Sequence, residues 1–418
     1  MKTVCTPGAF DTKGADYTFL VERLRESGVN ALTIDFGVLG DPPFRPDVSS
    51  DEVARAGGGE LSALRRSRDK ANAMRVMSAG LARVVARLRD ERRFDGLCGL
   101  GGSSGTAILS AAVHCLPMGM PKLLVSTVAN GDVSPYVGAS DVTMTYSVLD
   151  IAGVNRISAP IYANAAAAIA GMVRAEKPRV EAQRQLVAAS MFGNTTECVE
   201  RVKSSIERSG YEVLTFHATG AGGRTMLRLA REGALGGLLD LTMTELADEV
   251  CGGVFSAGRD RISLGESALI PAVFAPGCVD MCNFGARDSV PDRYRSRQLY
   301  EWNSNVTLMR TNREENRQIG GLIAETANRS TGRAVVLLPL RGFSMLDSPG
   351  QPFWDEAADD ACRAAIRENV KPSVEVVEID ANINDRVFAD RAAGCFLSLY
   401  SQSPRARADR RRALRTGR

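Results

Sequence analysis

The feature that most constrains the fold of this chain is a repeated alternation between short β-rich runs and longer amphipathic segments. The β-rich runs are apolar and are predicted as strands at residues 2–5, 31–36, 96–100, 122–126, 142–145, 186–191, 212–216, 236–241, 272–275, 334–339 and 374–379. Segments between them carry apolar residues at helical spacing, as at 16–27 and 71–90. This alternation is typical of βαβ units and predicts mainly parallel sheets.

The alternation is interrupted once, which indicates two domains. Residues 176–185 (EKPRVEAQRQ) are charged, contain a proline and lack the apolar rhythm, so they are predicted to form a linker. We therefore predict two Rossmann-like, doubly wound α/β lobes at residues 1–180 and 186–400. A ligand is expected in the interlobe cleft, at the carboxyl ends of the strands. Residues 403–418 are rich in arginine and are predicted to be a disordered basic tail.

The stretch 276–305 departs from the alternation. It is dense in glycine, aspartate, asparagine and arginine, so it is predicted to be a long loop outside the core. Its aromatic residues favour an ordered loop. Asp280 and Asn283 form a polar cluster within it.

Composition excludes several classes of protein. The formal net charge is only +3, and the excess of arginine lies in the tail. The rest of the chain therefore lacks the basic face that would indicate nucleic-acid binding. No run approaches the ~18 apolar residues of a membrane helix. The first residues lack the apolar core of a secretion signal, so a cytoplasmic location is expected. Nine cysteines lack a paired framework and only two histidines are present, so we expect reduced, mostly buried cysteines and no zinc site.

The first glycine-rich turn, at 97–106 (LCGLGGSSGT), joins a predicted strand to a predicted helix. Glycine lets an anion approach bare main-chain amides, and the start of the following helix favours negative charge. The residues predicted to bind a nucleotide or phosphate here are Gly101, Gly102, Ser103, Ser104, Gly105 and Thr106. The turn is neither a Walker A loop nor a strict GxGxxG fingerprint. The alternative is a tight turn that binds no ligand.

A second turn, at 217–224 (HATGAGGR), repeats this arrangement in the other lobe. The residues predicted to bind the cofactor there are Thr219, Gly220, Gly222, Gly223 and Arg224, the last as a fork for carboxylate or phosphate. His217 is a candidate general acid or base. Its alternative role is an imidazole that fastens the loop.

Carboxylates follow several predicted strands. Asp11 follows the first strand as a candidate catalytic residue or helix cap, and Lys13 is predicted to face a phosphate. Asp240 ends a strand and is a candidate catalytic residue and Mg²⁺ ligand. Glu245 is a candidate catalytic residue, with capping of the next helix as its alternative role.

At these residues the sequence resembles the Tm-1-like ATP-binding, or UPF0261, family. The motifs that carry the resemblance run in order over nearly the whole chain and include FDTKG (10–14), GLGGSSGT (99–106), FHATGAGGR (216–224), DLTMTEL (240–246), DMCNFGARDSVPDRYRSR (280–297) and LPLRGFSMLDSPGQPFWD (338–355). One departure is Ser104, where relatives often have glycine. The resemblance implies two Rossmann-like lobes, ATP binding and a homodimer or higher homo-oligomer.

These observations together predict an ATP-binding protein, for which three roles are considered. The favoured role is an enzyme of small-molecule metabolism that acts on a phosphorylated or carboxylated substrate, with Mg²⁺ at Asp240 if it transfers phosphoryl groups. One alternative is a non-catalytic, ATP-gated module that binds a protein partner. The other is a lyase or hydrolase of a carbon–carbon bond in a carboxylated substrate.

Overall fold

A computed structural model describes residues 1–176, 184–263 and 270–403 of the chain. It divides the chain into two compact units, Met1–Arg179 and Val180–Arg418. Most of the predicted linker at 176–185, and the predicted basic tail beyond residue 403, lie outside the described residues.

The N-terminal unit is a five-stranded parallel sheet with helices on both faces. Its strands are β1 (Thr3–Gly8), β2 (Asn30–Asp35), β3 (Gly96–Gly101), β4 (Lys122–Ser126) and β5 (Thr143–Tyr146). Its helices are α1 (Phe10–Glu26), α2 (Ser50–Ala56), α3 (Leu61–Ser67), α4 (Lys70–Asp90), α5 (Ser103–His114), α6 (Ser134–Val137) and α7 (Ser158–Arg174). The strand order is β2-β1-β3-β4-β5, all parallel, so the direction of winding reverses between β1 and β3.

The C-terminal unit contains a six-stranded parallel sheet and a smaller antiparallel one. Its strands are β6 (Leu186–Met191), β7 (Glu212–His217), β8 (Gly237–Thr242), β9 (Ala272–Gly277), β10 (Met281–Phe284), β11 (Leu299–Asn303), β12 (Val306–Arg310), β13 (Ala334–Pro339) and β14 (Glu375–Ile379). Its helices are α8 (Thr196–Arg208), α9 (Ala221–Arg231), α10 (Thr244–Cys251), α11 (Arg313–Asn328), α12 (Glu356–Asn369) and α13 (Arg386–Ser401). The parallel order is β14-β13-β9-β8-β6-β7, which reverses between β6 and β8 in the same way.

The central strands are largely buried because helices cover both faces of each parallel sheet. Every residue of β3 and of β13 is buried. In the N-terminal unit, one core includes Leu97 and Leu109 on one face of the sheet, and a second includes Cys98 and Ile169 on the other. The predicted fold class, two doubly wound α/β lobes with mainly parallel sheets, is confirmed.

The start of α1 differs from the prediction, which placed it at residue 16. The helix begins at Phe10, whose main-chain N–H donates to Asp35 Oδ1 at 3.0 Å. The same oxygen accepts the Gly37 N–H at 2.8 Å. A carboxylate at the end of β2 therefore satisfies the first turn of α1, and this cap is not visible in the local sequence of the helix.

The prediction that 276–305 is a loop outside the core was wrong for much of this stretch. Strands β10, β12 and β11 pair as an antiparallel sheet. Asp280 and Asn283 are fully buried. Their burial is possible because both side chains hydrogen-bond: Asp280 to Ser344, and Asn283 to Thr244 and Asp248.

The lengths of the helices and the burial of the cysteines can be compared with what the composition predicted. None of the helices in these residues combines the length and the apolar character needed to cross a bilayer. Seven of the nine cysteines are buried, and Cys115 and Cys395 are partly exposed.

Candidate functional site

The N-terminal unit has a cavity of about 810 Å³ at the carboxyl ends of its strands, where the strand order reverses between β1 and β3. The cavity is lined by the start of α1, by the loop that follows β2, by α3, α4 and their connection, and by the start of α5. Every lining residue belongs to this unit. In an open parallel sheet, the crevice beside the reversal of strand order is the usual place for a ligand.

The start of α5 contributes main-chain donors to this cavity. Gly102 is the N-cap residue in an extended conformation, and no side chain caps the helix. The amides of Ser103, Ser104 and Gly105 have no acceptor among the residues that the structure describes. Along the helix, Thr106 is the first residue whose amide has an acceptor, and it donates to the Gly102 carbonyl at 2.8 Å. Three adjacent N–H groups are thus available to an anion, at a helix end that favours negative charge.

The glycines of this turn have different surroundings. A Cβ atom added at Gly105 would have no neighbour within 4 Å, and one added at Gly102 would lie 3.9 Å from Thr127 Oγ1. A Cβ atom at Gly101 would instead lie 2.7 Å from the main-chain nitrogen of Thr106. Gly102 and Gly105 therefore border open space in the cavity, whereas Gly101 is needed for close packing.

Thr106 was predicted to bind the ligand, but the structure gives it a packing role. It is fully buried. Its Oγ1 donates to the Gly101 carbonyl at 3.1 Å and lies 2.6 Å from Ser126 Oγ. The hydroxyl therefore fastens the ends of β3 and β4 to α5, because both its interactions are with these elements.

Asp11 lies in the cavity wall and holds the loop after β2. Its Oδ2 accepts the amides of Leu39 at 2.6 Å and of Gly40 at 3.3 Å. Its Oδ1 has no hydrogen-bond partner among the described residues. Asp11 therefore does not cap its own helix, which was one of its two predicted roles.

Lys13, which was predicted to face a phosphate, is among the residues that line the cavity. Its Nζ donates to the carbonyl of Ile151 at 2.5 Å. Its φ and ψ of −126° and 20° lie outside the helical range and mark a kink in α1. The kink lies at the cavity.

Cations predominate around the cavity. Four basic residues line it: Lys13, Arg65, Arg68 and Lys70. The two acidic residues, Asp11 and Asp69, are engaged with main-chain amides, Asp69 Oδ1 accepting the Asn72 N–H at 3.0 Å as the cap of α4. Even with Arg65 paired to Asp41, the lining cations outnumber the lining carboxylates, so the cavity keeps a positive charge that suits an anionic ligand.

The inner wall of the cavity is apolar. Met77 and Ile108, from α4 and α5, are buried there, and Leu64 and Met74 add to the same wall. The three basic residues of the α3–α4 segment and these apolar residues were not predicted from the sequence. The segment SRDK at 67–70, polar between two helical patterns, was a signal for a turn that could have drawn attention to them.

The second glycine-rich turn is filled by a side chain of the chain itself. Glu245 Oε1 accepts the amide of Gly220 at 2.7 Å and that of Gly223 at 2.9 Å. Glu245 Oε2 accepts from Arg261 Nε at 2.8 Å. The amides of Gly220 and Gly223, predicted to bind a cofactor, bind this carboxylate instead, so Glu245 fastens the turn rather than facing a ligand.

The other residues predicted at this turn are also used locally. A Cβ atom at Gly222 would lie 1.9 Å from the His217 carbonyl oxygen, so that glycine is required for packing. Thr219 Oγ1 donates to the same carbonyl at 3.5 Å. Arg224 is exposed and donates to the Ser256 carbonyl at 3.2 Å. His217 is exposed at the end of β7, and its ring centroid lies 5.4 Å from that of Phe192.

Asp240, the predicted Mg²⁺ ligand, is part of a buried ion pair. Its Oδ1 accepts from Arg261 Nη2 and from Ser190 Oγ, both at 2.7 Å. Burial alone would lower the pKa of the Arg261 guanidinium, but Asp240 and Glu245 raise it overall. A carboxylate paired with a fixed positive charge does not fit a Mg²⁺ site, and no group of three potential metal ligands occurs in the described residues.

The four predicted catalytic residues are not brought together in one unit. Asp11 lies in the cavity of the N-terminal unit, whereas His217, Asp240 and Glu245 lie in the C-terminal unit. Of these, Asp240 and Glu245 share Arg261 as a partner. Asp11 borders the cavity of about 810 Å³ described above.

The C-terminal unit contains a second buried charged cluster, of which the sequence analysis had singled out only Asp280. We call Arg310, Asp280, Asp347 and Asp359 the Arg310 cluster, and all four are buried. Arg310 Nη2 lies 2.6 Å from Asp359 Oδ1 and 3.6 Å from Asp347 Oδ1. Burial raises the pKa of Asp280 and of Asp347 to about 7, and that of Asp359 to about 8, despite the opposing effect of Arg310.

The surplus of carboxylates in this cluster has a simple consequence. Even with the Arg363 guanidinium near Asp359, three buried carboxylates around Arg310 would leave unpaired negative charge, which is costly away from water. Protonation removes that charge. The cluster therefore retains protons at neutral pH.

Comparisons with known proteins confirm the resemblance seen in the sequence motifs. Residues 2–178 match the family model described as "Uncharacterised protein family (UPF0261) N-terminal domain", and residues 184–400 match that of the C-terminal domain. A UPF0261 protein of Clostridium tetani is 44% identical over 93% of this chain and 96% of its own length. The ToMV resistance protein Tm-1(GCR237) of Solanum lycopersicum is 39% identical over 79% of this chain and 45% of its own.

The comparison with solved structures gives no further information about the fold or the family. The Streptomyces sp. SF2575 glycosyltransferase SsfS6, complexed with thymidine diphosphate, is 12% identical over 96% of each chain, and its TM-score of 0.19 supports no conclusion. The family models and the C. tetani relative, by contrast, cover nearly the whole chain. On these matches, the chain belongs to the UPF0261 family.

Proposed function

We propose that the N-terminal unit binds a nucleotide in its cavity, with ATP as the expected ligand. The observation that carries the proposal is a set of three amides at the start of α5 that have no acceptor among the described residues and border a cavity lined by four basic side chains. Helix starts of this kind bind phosphate groups through their free N–H groups. The basic side chains add the positive charge that several phosphates require.

The shape and polarity of the cavity also fit a nucleotide. Its volume of about 810 Å³ lies within the range of small-molecule sites, which is roughly 300–1,000 Å³. The apolar wall formed by Met77, Ile108 and their neighbours suits a base, while the amides and cations suit the phosphates. Mg²⁺ enters this proposal only as the ion that ATP carries, because Asp240 does not fit it.

The proposal extends to chemistry on a phosphorylated or carboxylated small molecule in the same cavity. Asp11 supports this part, because its Oδ1 has no hydrogen-bond partner among the described residues. A non-catalytic ATP-gated module and a lyase or hydrolase of a carbon–carbon bond are the alternatives. Release of phosphate from ATP by the wild-type chain favours the enzyme that acts on a small molecule, whereas ATP binding without turnover favours the non-catalytic module.

Calorimetric titration with ATP tests binding, with a variant that fills the cavity. Gly105→Leu places a side chain where a Cβ atom meets nothing within 4 Å, so it blocks the cavity without a clash at the backbone. Gly171→Leu is the matched control, because Gly171 also lies in a helix with no neighbour within 4 Å of its Cβ position.

We expect the wild-type chain and Gly171→Leu to bind ATP, and Gly105→Leu to lose binding while its melting temperature stays within a few degrees. Equal affinity of Gly105→Leu and the wild-type chain would contradict this location for the site. If neither ATP, ADP nor AMP binds the wild-type chain at millimolar concentration, the proposal is wrong.

A further inference from the structure

We propose that Arg68 and Lys70 form a second anion position in this cavity, which holds the terminal phosphate of a nucleoside di- or triphosphate. The inference rests on the proposed function and deepens it, because it defines the ligand class by the number of its phosphates. The start of α5 then holds the phosphate nearest the nucleoside.

Burial along the cavity gives the direction of the ligand. Met77 and Ile108 are buried at the inner end, Ser104 and Gly105 are partly exposed, and Arg68 and Lys70 are exposed at the outer end. A nucleotide has the same order of polarity, from its base to its most charged and most hydrated terminal phosphate. The base therefore lies inward and the terminal phosphate lies near the α3–α4 connection.

The local structure at Arg68 conflicts with the preferences of its residue type. Arg68 ends α3 with a φ of 52° and a ψ of 19°, a left-handed conformation that favours glycine or asparagine. Such strain is found disproportionately at functional sites. Arg68 places a long cationic side chain on the cavity at a position where glycine would be the relaxed choice.

Lys70 is also unfavourable where it stands. It is the first residue of α4, and a cation at a helix N-terminus opposes the helix dipole. Asp69, between the two cations, uses its carboxylate to cap α4. Within the described part of the chain, neither Arg68 nor Lys70 forms a salt bridge, whereas Arg65 pairs with Asp41 at 3.1 Å. Two adjacent departures from local preference, both lining one cavity, are expected where a ligand compensates for them.

The test compares the affinities of ATP, ADP and AMP for three proteins at one salt concentration. They are the wild-type chain, the double variant Arg68→Ala/Lys70→Ala and the control Arg66→Ala. Arg66 is an exposed cation of α3 that does not line the cavity. Calorimetric titration gives each affinity.

We expect the double variant to bind ATP about tenfold more weakly or worse, since hydrogen bonds to charged groups are lost. Its affinity for AMP should stay within about threefold of the wild-type value, and Arg66→Ala should match the wild-type chain. Equal weakening of ATP and AMP, or no weakening of ATP, would overturn the inference while leaving nucleotide binding in place. Failure of all three nucleotides to bind the wild-type chain would remove the proposed function and this inference with it.

A second variant separates binding from folding. Arg68→Gly relaxes the left-handed residue, so we expect an unchanged or higher melting temperature together with weaker ATP binding. A variant that merely damaged the fold would lower both quantities. A rise in stability without any loss of ATP affinity would count against a ligand role for Arg68.

Discussion

The carboxylate of Glu245 accepts a hydrogen bond from the main-chain amide of Gly220 at 2.7 Å, so the chain fills its second glycine-rich turn with one of its own side chains. In the first turn, the corresponding amides at Ser103–Gly105 have no partner among the described residues. Both turns join a strand to a helix and favour negative charge. One receives it from within the chain, and the other is open to a ligand.

The first prediction concerns Glu245. Glu245→Ala would leave Arg261 short of a partner in a buried site and leave the amides of Gly220 and Gly223 unsatisfied. Removing one partner of a buried ion pair typically costs about 3–5 kcal/mol, so we expect a loss of this order in the free energy of unfolding. Denaturation followed by tryptophan fluorescence measures it, since both tryptophans, Trp302 and Trp354, lie in the C-terminal unit.

The control for this variant is Glu249→Ala. Glu249 is exposed, lies on the same helix and bonds to Ser256. Its loss should change stability by no more than about 0.5 kcal/mol. Equal effects of the two substitutions would show that Glu245 does not fasten the turn.

The second prediction separates two adjacent glycines. Gly101→Ala places a methyl group 2.7 Å from the main-chain nitrogen of Thr106, and the backbone must move to admit it. We expect a loss of about 1–3 kcal/mol, as for other overpacked sites. Gly102→Ala has its nearest contact at 3.9 Å, so calorimetry should show a smaller loss, of less than about 1 kcal/mol, which comes from alanine being a poorer N-cap than glycine. The same melting temperature for both variants would contradict the difference in packing.

The third prediction is a pH dependence that arises from the Arg310 cluster. Burial raises the pKa of Asp359 to about 8 and of Asp347 to about 7, so the native state keeps protons that the unfolded chain, with carboxyl pKa values near 4, releases. The native state then binds more protons than the unfolded state between about pH 4 and pH 8. The contribution of these groups to stability is therefore fully present below this window and falls as pH rises through it, by up to about 1.4 kcal/mol per pH unit for each such proton.

The substitution Asp359→Asn tests the origin of this slope. An amide cannot ionise, so the decline in stability between pH 5.5 and 8 should become shallower than in the wild-type chain. Asp360→Asn is the control, because Asp360 is exposed on the same helix and pairs with Arg363. Tryptophan fluorescence again reports on the unit that contains the cluster. Identical slopes in the wild-type chain and Asp359→Asn would refute the assignment.

The fourth prediction distinguishes the two roles of Asp11. Asp11→Asn keeps an oxygen that can accept the amides of Leu39 and Gly40, so ATP affinity should stay within about threefold of the wild-type value. Asp11→Ala removes that acceptor and should weaken ATP binding by about tenfold, because the cavity wall loses its anchor. If the chain hydrolyses ATP, a catalytic Asp11 predicts loss of phosphate release in Asp11→Asn despite retained binding. Retained turnover in this variant would leave Asp11 as a positioning residue.

Sequence patterns located the parallel strands well because their signal is local. The predicted bounds 122–126, 186–191 and 334–339 agree with β4, β6 and β13. Each is an apolar run that ends where polar or helix-starting residues follow. A strand buried on both faces requires such a run, so its position can be inferred without knowledge of its neighbours.

The antiparallel sheet was missed because its buried residues include polar ones. Asp280 and Asn283 are polar by composition, and their burial depends on partners distant in sequence, such as Ser344 and Thr244. A local signal did exist. The runs 299–303 and 306–310 flank a short polar turn, which is the pattern of a hairpin.

The roles of site residues were harder to predict than their positions. The sequence indicated that both glycine-rich turns begin helices, and α5 and α9 do begin there. It did not indicate that Glu245 would fill one turn, because its partner Arg261 lies on a different element. Which of two similar turns is free for a ligand depends on such long-range pairs.

Because Gly105 borders open space in the cavity, a thiol placed at this position could react with reagents that enter the cavity. Seven of the nine native cysteines are buried, so a cysteine introduced as Gly105→Cys should react with a maleimide dye ahead of most of them. A ligand already bound in the cavity would cover this thiol and slow its reaction with the dye. The rate of labelling would then report occupancy of the cavity, and the metabolites that slow labelling in a library screen would be candidates for the natural ligand.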